Sequence, residues 1–561
     1  MRRSEKILQR PDFSFNRSVY KSMGFSNNDL RKPMIGIANS WSELVPGSYS
    51  LKNVGEAVKR GILAAGGTPV EFGIIGACDG TAQGNEGMKY ILPTRDCIAN
   101  DVETMVQAHQ LDGIVLLGSC DKIVPGLLMA AARLDLPAIV VPAGPMLGGR
   151  EFDGRPSDLT SMSEGCGMLK AGKIGEDELN DLEDSCGPTC GSCSFYGTAN
   201  TMCCVAEALG MVLTGGALIP AVYAERTRMA AASGEAIVNL VNKGITSRDI
   251  INEKSLENAI RVLNATGGST NGVLHLLAIA RELGISSTVM LDKFKKIGES
   301  TPLVAKVNPA SKYNMEDFYH AGGIPQVMRE IEEKLNVEVM TVSSNTLAEE
   351  LNKKTYGKIN REVIKTIDEP FSTFGGIAIV EGNLAPNGGI TKPSAIKKEM
   401  HLFKGVAKCF NSEEEAEEAI LAKEIQPNDV LVIRYEGPKG GPGMREMYKA
   451  MKYLYGLGLA ESTAIITDGR FSGTNNGCFV GHISPEASEC GPIALVEDGD
   501  EITINIPCGE ITLHVDDETL SQRKQKWVKP KKEIPSGILR LYAKLASSAN
   551  EGASMVIDEE E

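Results

Sequence analysis

The first third of the chain alternates strand and helix signals, and no other feature of the sequence narrows the choice of fold so far. Met34–Ala38 is a short apolar run. Leu51–Leu63 follows, with Leu51, Val54, Val58 and Ile62 along one helical face and Gly66-Gly67 as a stop. Thr68–Ile75 reads as a strand, Asp96–His109 as a helix, Gly113–Leu117 as a buried strand, Pro125–Leu134 as a helix and Ala138–Val141 as a strand. Such a succession builds a mainly parallel sheet with helices on its faces. Ligands of these sheets sit beyond the carboxyl ends of the strands. The segments Ser40–Ser50, Cys78–Glu86 and Gly118–Lys122 fall at those ends.

Residues 150–360 read as helical, with Ser255–Leu263, Gly272–Leu283 and Pro325–Leu335 the clearest cases. The last third changes to short β runs: Ile377–Val380, Val406–Phe410, Val430–Arg434, Ala464–Thr467, Ile493–Val496, Ile502–Ile506 and Ile511–Val515. Two helices are predicted among them, Ser412–Lys423 and Met444–Tyr455. The expected fold class is α/β. A mainly parallel-sheet domain over residues 1–367 precedes a β-rich, barrel-like domain over residues 368–561, with Lys353–Ile367 as the linker. A length of 561 residues accommodates two large domains.

Charge and hydropathy exclude several partners. The net charge of −15 argues against broad nucleic-acid binding. No apolar run approaches the roughly 18 residues that a spanning helix needs, so no membrane insertion is expected. MRRSEKILQRPDF at the amino terminus has no apolar core, and no secretory signal is expected there. Thirteen cysteines in such a chain point to a reducing, cytoplasmic compartment, where a cysteine is a core residue, a catalyst or a metal ligand. The sixty glycines cluster among Cys, Asp, Lys, Glu and Ser rather than in linkers, as backbone packed closely around a ligand does.

Several of these clusters carry chemistry. Cys120-Asp121-Lys122 directly follows the strand Gly113–Leu117. A soft thiolate beside a hard carboxylate suits two different metals. A buried lysine of depressed pKa is a nucleophilic amine that can be carbamylated into an anionic ligand. The same three residues also read as a turn with a core cysteine. Cys78-Asp79 repeats the pairing at the preceding strand end, with Glu86 seven residues on; its alternative is a buried thiol and a capping aspartate. Cys186, Cys190 and Cys193 lie within eight residues and open a predicted helix, Tyr196–Leu209, whose amino-terminal amides would stabilise thiolates. A single CxxC argues against structural zinc. Cys203 and Cys204 read as core, as do the unclustered Cys97, Cys166, Cys409, Cys478, Cys490 and Cys508.

Arg434–Glu446 follows a strand and could form a backbone nest for an anion, with Glu446 in a first helical turn. Asp468–Gly473 also follows a strand. Ser472 lacks a GxSxG context and an evident histidine partner, so it is either a turn serine or a base activated by a nearby cation. There is no GxGxxG, no GxxxxGK[ST] and no HExxH. The six histidines, His109, His275, His320, His401, His482 and His514, show no metal-ligand spacing, and His482 lies nearest Ser472.

From Lys32 to Gly552 the sequence resembles the dihydroxy-acid dehydratase/phosphogluconate dehydratase family of iron–sulfur lyases. The resemblance rests on CDGTAQGNEGMKY from Cys78, GSCDKIVPGLLMAAARLDLPAIVV from Gly118, GSCSFYGTANTM from Gly191, ATGGSTNGVLHLLAIA from Ala265, MEDFYHAGGIPQVM from Met315, GNLAPNGG from Gly382, VIRYEGPKGGPGMREM from Val432, DGRFSG from Asp468 and GHISPEA from Gly481. MEDFYHAGGIPQVM and RYEGPKGGPGMREM are nearer the dihydroxy-acid branch, and GSCSFYGTANTM nearer the phosphogluconate branch.

The resemblance implies an iron–sulfur cluster (2Fe-2S or 4Fe-4S), Mg²⁺, a small hydroxy-acid substrate and a homodimer or homotetramer. It implies Cys120 and Cys193 as cluster ligands and Asp79, Asp121, carbamylated Lys122 and Glu446 as Mg²⁺ ligands, with Glu86 as a possible addition. It implies Ser472 as general base. The implied reaction dehydrates 2,3-dihydroxy-isovalerate or 2,3-dihydroxy-3-methylvalerate in branched-chain amino-acid biosynthesis, with a sugar acid as the alternative substrate. Many members carry Pro-Cys-Asn-x-His where this chain has Pro46-Gly47-Ser48-Tyr49-Ser50, and Asn85 stands where histidine is common. Some relatives pair glycine there with a cysteine before the metal-binding aspartate, so Cys78 is the expected third cluster ligand, with Cys190 and Cys186 as alternatives.

Overall fold

The computed structural model describes residues 2–170, 172–353, 359–471 and 477–557. The fold is mixed α/β. Strands β1 (Met34–Asn39), β2 (Thr68–Gly73), β3 (Gly113–Leu117) and β4 (Ala138–Val141) form one sheet in the order β2-β1-β3-β4, every pair parallel. Met34 lies opposite Thr68, Ile35 opposite Gly113 and Ile114 opposite Ala138. Strands β1, β3 and β4 are buried throughout, as expected of a sheet covered on both faces; only the edge strand β2 is partly open.

Helix α1 (Leu51–Ala64) returns from β1 to β2, α2 (Pro93–His109) leads to β3, and α3 (Ile123–Leu134) links β3 to β4. In α3 every residue but Arg133 is buried, which fits its near-continuous apolar sequence. Helix α4 (Thr198–Ala208) is also buried throughout. Helix α1 crosses α5 (Ala224–Lys243) at glycines: a Cβ on Gly61 would stand 1.9 Å from the Ala231 carbonyl oxygen, and one on Gly234 2.2 Å from that of Val58. Only glycine lets the two backbones approach so closely.

The carboxyl-terminal part closes an eight-stranded barrel. Its strands are β5 (Ala378–Gly382), β6 (Ala385–Thr391), β7 (Leu402–Phe410), β8 (Asp429–Ile433), β9 (Ala464–Thr467), β10 (Cys478–Gly481), β11 (Glu501–Asn505) and β12 (Glu510–Leu513). The order around the barrel is β8-β9-β10-β6-β5-β12-β11-β7. Alternation sets the two faces: Ile502, Ile504, Ile511 and Leu513 point into the core, while Thr503 and Glu510 do not. The central strand β8 is parallel to β7 and β9, and β9 to β10, so the loops after β8 and β9 leave one end of the barrel together.

The structure departs from the sequence reading in particular places. Ile493–Val496 is not a strand; Pro492–Leu495 forms a 3-10 turn that proline initiates. Strands β6 and β10 were not expected, because Ala-Pro-Asn-Gly-Gly reads as a turn and β10 is only four residues long. The helix expected at Met444–Tyr455 begins only at Lys449. Met444 has a left-handed φ of 45°, and Glu446-Met447 instead pair in parallel with Arg470-Phe471. The carboxylate at that helix start belongs to Glu413, which accepts from the amides of Tyr448 (2.8 Å) and Lys449 (3.1 Å). Pro325–Leu335 divides into a helix, Gly323–Glu330, and a 3-10 turn, Glu332–Lys334. Of the expected linker, residues 354–358 lie outside the described residues, whereas Val363 and Ile364 are buried, Lys306 N donates to the Val363 carbonyl and Lys365 N to that of Val304. Cys166 and Cys508 are exposed rather than core.

Candidate active site

The strand ends of the two domains meet. Cys78 precedes the one-turn helix Asp79–Ala82 after β2, and Cys120-Asp121-Lys122 joins β3 to α3. From the barrel, the loop after β8 brings Glu446 and the loop after β9 brings Arg470. Asn271 opens helix Asn271–Glu282. Two donor groups result. The Cys78 and Cys120 sulfurs and an Asp79 oxygen lie within 4.8 Å of one another, and so do carboxylate oxygens of Asp79, Asp121 and Glu446. Asp79 belongs to both.

Glu446 is fixed by three donors on one oxygen, Oε1: Lys122 Nζ at 3.2 Å, Asn271 Nδ2 at 2.8 Å and Arg470 Nη1 at 2.5 Å. Lys122 Nζ also donates to Asp121 Oδ2 at 2.6 Å. Arg470 is itself anchored, through Nε to the Met444 carbonyl and Nη1 to Asn271 Oδ1. Lys122, Asn271, Glu446 and Arg470 are all buried. Cys193 sits in a loop rather than at the start of α4, which begins five residues later; the expected contribution of that helix end is not what holds it. Asn200 does so, donating from Nδ2 to the Cys193 and Phe195 carbonyls and accepting from Ser192 Oγ. Position 47 abuts this loop: Gly191 N donates to the Pro46 carbonyl, and a Cβ on Gly47 would lie 3.5 Å from Ser192 Cα.

Not every candidate joins the cluster. Glu86 points to solvent, 77% exposed, and pairs with Lys89. Cys186 donates to the Glu183 carbonyl, and neither it, Cys190 nor the expected ligand Cys193 falls in a donor group. The expected anion nest at Gly437–Gly443 exists, but the chain fills it itself, Lys439 N and Gly440 N both donating to the Glu486 carboxylate. Ser472 lies outside the described residues. Sequence reasoning assigned no role to Asn271 or Arg470. Their only signal was a polar residue opening an apolar helix and a cation between a glycine and a phenylalanine.

The electrostatics follow from crowding charge out of water. Burial, then the Asp121 and Glu446 carboxylates, push Asp79 well above the usual carboxylate range. Burial also raises Asp121, against Lys122. Glu446 ends below its ordinary value, because Lys122 and Arg470 outweigh its burial. Burial and Arg470 press Lys122 towards the neutral amine, but Asp121, Glu446 and Asp79 outweigh them. The expected depressed lysine pKa is therefore reversed to a raised one. A hydrogen bond from Cys120, aided by the amides of Thr81 and Gly80, lowers Cys78 to about 6, while the same bond and burial raise Cys120 well above its usual value. Burial and the charges of Asp79 and Asp121 raise Cys193. Two buried carboxylates and the half-buried Asp79 face two buried cations here, beside a thiol pair that readily loses a proton. Such a site is chemically suited to a hard cation on its oxygens and a softer metal on its sulfurs.

Residues 32–350 match the family described as dihydroxy-acid/6-phosphogluconate dehydratase N-terminal, and residues 362–553 its C-terminal counterpart. A protein of Methanosarcina barkeri named dihydroxy-acid dehydratase is 50% identical over 553 residues, 98% of this chain and 99% of its own length. One from Ruminiclostridium cellulolyticum with the same name is 48% identical over 556 residues (98% and 99%), and one from Ignicoccus hospitalis 47% over 558 residues (99% and 100%). Likeness of this depth along both domains places the chain in the dihydroxy-acid/6-phosphogluconate dehydratase family.

Proposed function

We propose that this protein is a hydro-lyase converting a 2,3-dihydroxy carboxylic acid to the 2-oxo acid. Its proposed substrates are 2,3-dihydroxy-isovalerate and 2,3-dihydroxy-3-methylvalerate, on the path to branched-chain amino acids. The observation that carries the reading is the junction of a thiol pair and a carboxylate trio through the half-buried Asp79. The shared name of its relatives supports the substrate class. Cys78, Cys120 and Cys193 would hold an iron–sulfur cluster, of two or four irons. Asp79, Asp121, Glu446 and Lys122 as its carbamate would hold Mg²⁺. The donors fit both: sulfurs for iron, and an excess of buried negative charge for magnesium. When bound, the pair would supply Lewis acidity, at the carboxylate and 2-hydroxyl on one side and at the departing 3-hydroxyl on the other.

The chain's own residues orient and move protons. Ser472, the residue after Phe471, is the proposed base for the C2 proton. Loss of that proton and of hydroxide from C3 leaves an enol, which tautomerises to the 2-oxo acid. Arg470 and Asn271 hold Glu446 in one orientation, and Asn200 fixes the Cys193 loop, so the donor groups need no rearrangement. A homodimer or homotetramer in the cytoplasm is the proposed state; the exposed Trp41, Leu44 and Tyr49 beyond β1 support an interface between copies. Anaerobic turnover of 2,3-dihydroxy-isovalerate against a panel of aldonates and 6-phosphogluconate tests the reading, with the 2-oxo acid as readout. Turnover of the sugar acids alone would overturn it.

A further inference from the structure

His482 follows β10 directly, in the left-handed region with φ of 57°, and is only 4% exposed. A non-glycine residue in that conformation is strained unless its surroundings hold it. Its backbone is held: His482 N donates to the Gly469 carbonyl at 2.8 Å, Ile483 N to that of Thr467 and Ser484 N to that of Gly388. Its ring is not fully satisfied. Among the described residues Nε2 is buried without a hydrogen-bond partner, and the same is true of Oδ1 of Asn550, in the carboxyl-terminal turn Ala549–Glu551. Both residues line one small cavity of about 10 Å³, otherwise walled by groups that include Val273, Leu277, Leu291 and Ile390. A buried polar atom left unpaired is costly, and two on residues that line one void call for a shared partner. The void has the volume of a single water molecule's working space, and water is the common species that bonds to either form of a ring nitrogen and to an amide oxygen.

We propose that this cavity binds one structural water joining His482 Nε2 to Asn550 Oδ1, and that Asn550 is thereby a positioning residue for the active site. Burial keeps the imidazole neutral; in the proposed tautomer Nε2 carries the ring proton and donates to the water, which donates in turn to Asn550. The fixed ring holds His482 N on the Gly469 carbonyl, and Gly469 adjoins Arg470, the donor to Glu446. The carboxyl-terminal turn thus steadies the Arg470–Glu446 pair from the far side of the barrel loop. Ser548 Oγ, 3.5 Å from Ser484 Oγ, ties the same two segments together.

The proposal rests on the dehydratase reading only for its kinetic arm. A high-resolution crystal structure of the wild type is expected to show one density peak within hydrogen-bond distance of both atoms. Asn550→Leu is expected to lose the peak, to keep its iron, sulfide and Mg²⁺ content, and to lower kcat on the order of ten-fold with little change in KM. Asn550→Asp, which keeps an acceptor, is expected to retain the water and most of kcat, and to gain an acid limb in its pH profile as the carboxylate lets His482 protonate. An empty cavity in the wild type overturns the water; unchanged kcat and ring position in Asn550→Leu overturn the positioning role. Neither result bears on which acid is dehydrated.

Discussion

The Cys78 and Cys120 sulfurs lie within 4.8 Å of each other, Cys120 Sγ donates to Asp79 Oδ1 at 3.9 Å, and the backbone amides of Thr81 and Gly80 favour charge on Cys78. A cysteine held at about 6 is largely thiolate at neutral pH and therefore nucleophilic. In protein stripped of iron, Cys78 is expected to alkylate readily at pH 7, and to be shielded once iron and sulfide are restored; peptide mass spectrometry reads both. Cys78→Ser should lower iron and sulfide content together. Normal content and activity in that variant would remove Cys78 from the ligand set. At this scale much of the candidate site was legible: Cys78, Asp79, Cys120, Asp121, Lys122 and Glu446 all meet. Glu86 and Arg470 show the limit. A short motif places Glu86 beside Asp79 in sequence, but the turn at Gly84–Gly87 sends it to solvent. The role of Arg470 arises only from contacts 24 and 199 residues away along the chain.

Among the elements, the loops after β8 and β9 are braced by buried acids rather than by a helix. Asp468 accepts from Tyr435 N (3.1 Å), Glu436 N (2.9 Å) and Ala487 N (2.9 Å), and Glu436 in turn grips Arg445, the neighbour of Glu446. Burial, then the nearby Glu486, raise Asp468 to about 7. The folded chain therefore keeps a proton that the unfolded chain releases above a pH of about 4. Its contribution to stability is complete below that pH and is lost as pH rises to about 7, a change of up to roughly 4 kcal/mol. Asp468→Asn sacrifices an acceptor and should be less stable throughout, but its denaturation midpoint should fall less between pH 5 and pH 7.5 than that of the wild type. Parallel pH profiles would show that Asp468 is ionised in the native state. Elements with a clean period were legible from sequence, as β3, β4 and β9 were. The Glu446-Met447 strand was not, because two residues carry no period and their pairing depends on Arg470-Phe471 in another loop.

On the scale of the whole molecule, the carboxylate trio spans two structural units, the parallel sheet and the barrel. Asp79 and Asp121 come from the sheet domain and Glu446 from the barrel, so unfolding either unit dissolves the site. A cation bound by all three must then stabilise both units, by about 2.7 kcal/mol at a hundred times its dissociation constant. The chain carries two tryptophans, one in each unit: Trp41 beyond β1, and Trp527, whose Nε1 donates to Tyr435 OH. Trp41→Phe and Trp527→Phe give single-tryptophan proteins that report the barrel and the sheet domain separately. Mg²⁺ at constant ionic strength is expected to raise the midpoint of thermal unfolding seen by both. Glu446→Gln keeps the bulk of the side chain but removes the barrel's charge from the trio, and the barrel reporter should then cease to respond to Mg²⁺. A barrel midpoint that rises equally with and without Glu446, or that sodium raises as much as magnesium does, would show that the two domains do not share a cation.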